Sequence, residues 1–213
     1  GDRVSDLDDL PFPDWDMFPV ENYSYKPVLK SKPFIPVLSS RGCAFSCLYC
    51  PYKAYYGHLR KRSVNSVINE LKYLKEKYKI NSVQFRDPLF TAERNRALEI
   101  AEKIISSGMK FEWGCETHVN CLDEDLIDKL YESGMRSVNL GIESEDADIL
   151  KNASRASAPK KREIEIIDYC HKKGINVAAF YIFGLPEDTK ESILKTISYA
   201  KKLNTLVAQF FIF

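Results

Sequence analysis

From residue 34 onward the chain alternates between two hydrophobic periods. The runs FIPVLSS, NSVQFRD, KFEWGCET, RSVNLGIES, NVAAFYIFG and TLVAQFFIF are short and rich in β-branched and aromatic residues, the composition of buried strands. Between them lie SVNSVINELKYLKEKY, AERNRALEIAEKIISSG, DEDLIDKLYESG, KKREIEIIDYCHKKG and KESILKTISYAKKLN. Their apolar residues recur at spacings of three and four, the period of an amphipathic helix. Gly108, Gly134 and Gly174 close three of these stretches, where a left-handed cap is expected. Strict alternation of strand and helix implies parallel strands joined by right-handed crossovers. A doubly wound sheet and a barrel both satisfy that pattern, and six units fall short of a complete eight-fold barrel of roughly 250 residues. No G-x-G-x-x-G follows the first strand, which counts against a dinucleotide-binding fold.

Residues 1–33 follow neither period. The stretch carries Pro11, Pro13, Pro19, Pro27 and Pro33, with LDDLPFPDWDMFP at its centre. It reads as an extended lead-in with no core of its own, lying across the folded unit of residues 34–213 or bridging to a neighbouring domain.

Composition then narrows the function. Lys plus Arg number 31 against 30 for Asp plus Glu, so a net charge of +1 offers no bulk field to nucleic acid or to a membrane surface. No apolar run approaches the roughly 20 residues of a membrane-spanning helix, and no signal segment opens the chain, so a cytoplasmic location is expected. Six cysteines in such a context are expected to be free thiols or metal ligands rather than a disulfide framework.

Three of the six stand together in SSRGCAFSCLYCP, at Cys43, Cys47 and Cys50, directly after the first strand. Spacings of four and three would align the thiols on one helical face, but Gly42 and Pro51 bracket the segment and disfavour a continuous helix. A structural zinc site would need a fourth ligand, recruited from Cys115, Cys121 or His118. An iron-sulfur cluster on three thiolates would leave one iron open to an exogenous ligand, as a catalytic site requires. In parallel α/β folds function gathers beyond the carboxyl ends of the strands. Asp87, Glu116, His118, Glu143 and Glu187 all fall there. The ordinary alternative is that such carboxylates merely begin the next helix and offset its dipole.

The C-x-x-x-C-x-x-C loop, with Tyr49 just before its last cysteine, resembles the signature of the radical S-adenosylmethionine (SAM) superfamily, over about residues 34–213. The resemblance implies a partial six-stranded parallel (β/α)6 TIM-like barrel. It implies a 4Fe-4S cluster on Cys43, Cys47 and Cys50, with SAM chelating the fourth iron. Tyr49 would lie near the adenine, and Asp87 in FRDPLF would meet the SAM amino group. Glu143 in NLGIES would contact the ribose or methionine part, Arg155 the SAM carboxylate, and Ile182 in YIFGLPE would pack on the adenine. Phe180 stands where that last motif usually begins with glycine, and Glu187 within it reads as structural.

The activity implied is reductive cleavage of SAM to a 5′-deoxyadenosyl radical that abstracts hydrogen from a small-molecule or peptide substrate. The electron would come from an external one-electron donor such as a flavodoxin or ferredoxin. The lead-in and LRKRSVNSVINEL are also similar to members that carry an upstream cobalamin-binding domain. This implies cobalamin-dependent methyl transfer in a full-length protein, with that domain missing from these 213 residues. Two alternatives stay open: a methylthiotransferase-like RNA-modifying enzyme, which needs a second cluster or an RNA-binding domain, and a non-catalytic zinc-stabilised binding module.

Overall fold

The computed structural model describes residues 3–213. In chain order the elements are β1 (Phe34–Val37), β2 (Ser40–Arg41), α1 (Tyr52–Tyr56), β3 (Arg60–Lys61), α2 (Val64–Tyr78) and β4 (Ser82–Phe85). There follow α3 (Arg94–Ser106), β5 (Glu112–Thr117), α4 (Glu124–Glu132), β6 (Met135–Glu143) and α5 (Ala147–Asn152). The chain ends through α6 (Lys160–Lys172), β7 (Asn176–Phe183), α7 (Lys190–Leu203) and β8 (Val207–Ile212). The five helical and six strand patterns of the sequence are all present. The short α1, α5 and the β2–β3 ribbon carry too few residues to show a period.

Six strands form one parallel sheet in the order β1-β4-β5-β6-β7-β8. An order that never reverses, joined by right-handed crossovers, puts every crossover helix on the same face. A doubly wound sheet would need a switch point, so the fold is a singly wound half-barrel with its helices outside. Ser63, Asp123, Asp146 and Thr189 cap α2, α4, α5 and α7, each side chain accepting from a backbone N–H of the first turn. Gly108, Gly134 and Gly174 follow α3, α4 and α6 as expected, whereas α2 and α7 close on Lys79 and Asn204 in left-handed backbone. The apolar core fills the space between sheet and helices, around Phe85, Phe90 and Trp113 with Leu71, Ile100 and Leu126.

The inner face is different in kind. Gln84, Ser137 and Asn139 are buried there, and Gln84 Oε1 and Nε2, Ser137 Oγ and Asn139 Oδ1 find no hydrogen-bond partner among the described residues. A closed eight-stranded barrel fills this space with branched apolar side chains. The half-barrel keeps a polar interior.

The lead-in is not featureless. It makes two single-turn 3-10 helices, Leu7–Asp9 and Val20–Asn22, and buries Leu7, Val20, Val28 and Leu29. Its second half crosses the N-terminal end of the barrel. The Glu112 carboxylate accepts from the N–H of Lys30 and of Ser31 at 3.0 Å, and Asn176 Nδ2 donates to the Val28 carbonyl at 2.8 Å. Tyr25 stacks on Phe34 with centroids 5.0 Å apart, and its hydroxyl accepts from Asn139 Nδ2 at 3.2 Å. Among the described residues no helix is long and apolar enough to cross a membrane.

Candidate functional site

The cysteine loop stands on a buried polar base at the C-terminal mouth of the half-barrel. Asp87 is fully buried just beyond β4; its Oδ2 accepts from the Ser39 N–H and its Oδ1 from the Ser39 hydroxyl, both at 3.0 Å, and Oδ1 also accepts from the Ser40 hydroxyl. Arg96 of α3 ties the same residues together, donating to the Ser39 hydroxyl and carbonyl at 3.1 Å and to the Arg62 carbonyl at 2.8 Å. Burial pushes the Asp87 carboxyl up, and the serine donors pull it back. Asp87, expected to meet the SAM amino group, therefore faces the residues that precede the cysteines and lines no part of the cavity beyond them. Three donors on one buried carboxylate explain the difference.

That cavity, of about 180 Å³, has Cys43, Cys47, Tyr49 and Cys50 on one wall. Glu116, Asn139, Gly141, Glu143, Arg155 and Phe180 form the other. Glu143 reaches it through a β-bulge: the pairing of β6 with β7 shifts between Gly141 and Glu143, and Glu143 takes φ +63°. Its carboxylate folds back over Gly141, 3.4 Å from Arg155, whose Nη2 donates to the Gly141 carbonyl at 2.8 Å. The two side chains are only 12% and 9% exposed, so their attraction is weakly screened. The Tyr49 hydroxyl lies beside Glu143, and the Cys47 sulfur lies beside both Tyr49 and Arg155. Burial pushes Glu143 up while Arg155 and Tyr49 oppose it, and burial likewise raises the Cys43 thiol.

Arg155 is positioned by a loop that is itself braced. The Leu48 N–H donates to the Ala153 carbonyl at 3.0 Å, joining the cysteine loop to the Arg155 segment. Beneath it, His118 accepts at Nδ1 from the Asn120 N–H at 3.1 Å, leaving Nε2–H to donate to the Ala156 carbonyl at 2.9 Å. With both nitrogens engaged and 3% exposure, His118 props the loop and does not reach the cavity. Burial, assisted by Arg155, pulls its pKa down to about 4, so it is neutral. Because the folded-state value lies below the ordinary 6.5, its contribution to stability is complete above pH 6.5 and is lost as pH falls toward 4. Urea unfolding at pH 7 and 4.5 should show wild type losing about 2–3 kcal/mol more than His118→Gln, the integrated cost of that shift. Equal losses would show that His118 titrates normally.

The other expected site residues divide. Tyr49, Glu143 and Arg155 are brought together with the three cysteines. Ile182 is half-buried on β7, opposite Phe211 of β8, and it is Phe180, two residues earlier on the same face, that lines the cavity. Glu187 accepts from Asn152 Nδ2 of α5. Asn139 is an addition, and its signal is the period-two alternation of β6, which turns positions 137, 139 and 141 inward. Lys53, donating to the Ser46 hydroxyl at 2.7 Å, and Glu116, paired with Arg86 at 2.5 Å, complete the rim.

Among the described residues no three His, Cys, Asp or Glu side chains form a site for a single metal ion. Cys115 is fully buried and both His118 nitrogens are engaged, so neither offers the fourth ligand of a closed zinc site, whereas Cys121 is half-buried near Cys43 and keeps that position open. Three thiols spread along one wall match the thiolate chemistry of an iron-sulfur cluster.

The family model of the Radical SAM superfamily matches residues 37–200, and the chain belongs to that superfamily. It is 33% identical over 208 residues to an uncharacterized methyltransferase of Pyrococcus horikoshii, covering 97% of this chain and 44% of that protein. It is 28% identical over 220 residues to the cytidylyl-2-hydroxyethylphosphonate methyltransferase of Streptomyces wedmorensis, covering 98% and 41%. The chain thus spans about two fifths of the length of these relatives. Among solved structures, the radical SAM methyltransferase TsrM of Kitasatospora setae, with cobalamin and a [4Fe-4S] cluster bound, superposes with a TM-score of 0.76 at 20% identity, over 83% of this chain and 36% of that one. The cobalamin-dependent radical SAM enzyme OxsB gives 0.68 at 16%, over 82% and 27%. The half-barrel is their common fold.

Proposed function

We propose that residues 34–213 form the cofactor-binding barrel of a radical SAM methyltransferase, in which Cys43, Cys47 and Cys50 hold a 4Fe-4S cluster and the adjoining cavity holds SAM. One observation carries the reading: three thiols and a buried Glu143–Arg155 pair share a single cavity at the C-terminal mouth of a parallel half-barrel. When bound, the cluster and SAM supply one-electron reductive cleavage of the sulfonium.

The chain's own residues bind and orient. Arg155 faces a carboxylate and Glu143 and Glu116 face an ammonium, so the cavity offers opposite charges to the zwitterionic end of an amino acid. With Asp87 enclosed, the last two are the carboxylates available to that ammonium. Phe180 and Tyr49 supply ring faces for a nucleobase, with Ile182 further along the same strand face as Phe180. The methyltransferase names of the relatives, and the cobalamin bound in TsrM, support methyl transfer with cobalamin in the whole protein, drawing electrons from a donor such as a flavodoxin or ferredoxin.

Anaerobic reconstitution tests the reading. About four irons per chain are expected, with methionine released from SAM on reduction by dithionite. A chain that takes up one zinc and no iron would overturn it.

A further inference from the structure

A second, larger cavity of about 330 Å³ lies along the free edge of β1, roofed by the lead-in. Its size is that of a small-molecule site. One wall is apolar: Leu10, Phe12 and Trp15 come from a segment that shows no period in the sequence. The segment is nonetheless fixed in place, with Phe12 against Tyr73 at 5.8 Å between centroids and Asp16 accepting from Lys77 Nζ at 2.6 Å and from the Tyr78 hydroxyl at 2.8 Å. The opposite side carries Arg41, Arg62 and Arg86 against one carboxylate, Glu70.

The charges do not cancel. Arg62 is neutralised by Glu70, and Arg86 pairs with Glu116. Among the described residues Arg41 has no carboxylate partner. A further donor is unspent: the indole N–H of Trp15 is buried and meets no acceptor among the described residues. A ligand acceptor placed against it would satisfy that donor. The site therefore offers an apolar surface, one uncompensated cation and one idle N–H, a combination that selects a single anionic oxygen group on an apolar body.

The two cavities adjoin. Arg86 lines this one and Glu116 lines the cysteine cavity, and the ion pair between them is the shared boundary. We infer that the β1-edge cavity is a binding chamber for an apolar small molecule bearing one anionic group, held by Arg41 and Trp15, and that it delivers this molecule to the cofactor cavity across the Arg86–Glu116 pair. Its role as the substrate's chamber rests on the radical SAM reading above; its ligand chemistry does not.

Isothermal titration of the chain after anaerobic cluster reconstitution, with its iron content measured alongside, against decanoate, decyl phosphate and decylammonium tests the chemistry. The two anions should bind at one site per chain and the ammonium should not, the ratio between decanoate and decyl phosphate showing which headgroup fits better. Arg41→Gln should weaken anion binding about tenfold, Arg41→Lys should restore most of it, and Trp15→Phe should cost a few-fold by removing the N–H alone. Decylammonium binding as tightly as decanoate, or Arg41→Gln binding decanoate as wild type does, would overturn the inference. A chain that binds decanoate but loads no iron would instead reject the radical SAM reading and leave this site standing.

Discussion

Replacing Gly42 with alanine should abolish iron loading while leaving the half-barrel folded. Gly42 stands between the β2–β3 ribbon and Cys43 with φ +86°, in the left-handed region that side chains rarely adopt. A Cβ at this position would lie 2.3 Å from the His58 carbonyl oxygen, 2.7 Å from its carbon and 2.8 Å from the Gly57 carbonyl oxygen. All three are backbone atoms, held in place because β3 returns the chain to pair Arg41 with Arg60. No rotamer change relieves such a clash, so the strand ends must part and the loop from 42 to 59 must shift. The loop carries all three thiols of the cavity wall but no large core residue, so the thermal midpoint should move only a few degrees while bound iron drops from about four per chain to below one. A variant that loads fully would show that the ribbon does not set the thiols.

The physical reason the cysteines stand where they do is partly written in the sequence and partly not. Strands and helices were legible because both follow fixed periods, and the parallel order followed from their alternation. Half-barrel and doubly wound sheet share those periods, so strand order is settled by the fold itself or by the resemblance carried by the cysteine spacing. Tyr49, Glu143 and Arg155 were legible as family positions and do converge. Asp87 lies outside the cavity because a motif position fixes where a carboxylate starts, not which donors reach it first, and Ser39 and Ser40 lie 48 and 47 residues away in sequence. Phe180 read as a departure from a glycine motif, yet its ring forms cavity wall, since a strand's period says which face it takes and not what stands opposite. The lead-in was the least legible part. Its buried Leu7, Val20, Val28 and Leu29 follow no period because each is fixed by the surface it crosses rather than by its own helix or strand.

Gly141→Ala should give the opposite phenotype to Gly42→Ala, normal iron loading with SAM bound about a hundredfold more weakly. A Cβ on Gly141 would lie 2.4 Å from Glu143 Oε1 and 2.6 Å from Arg155 Nη2. These are the far ends of flexible side chains, so the clash is relieved by rotating them away and the backbone can stay as it is. The relief is what removes function, because Arg155 loses its 2.8 Å bond to the Gly141 carbonyl and both charges leave the cavity wall together. Losing two charge-assisted contacts to a zwitterionic ligand, at about 1.5–3 kcal/mol each and less than additively, amounts to roughly two orders of magnitude in affinity. Gly114→Ala is the matched control, since its Cβ would meet Gln84 Oε1 at 2.4 Å and Ser137 Oγ at 2.8 Å, neither of which lines the cavity. Equilibrium dialysis against labelled SAM should separate the two variants. Equal affinities would mean that the Glu143–Arg155 pair only holds β6 to the loop after α5 and that SAM is bound by other residues.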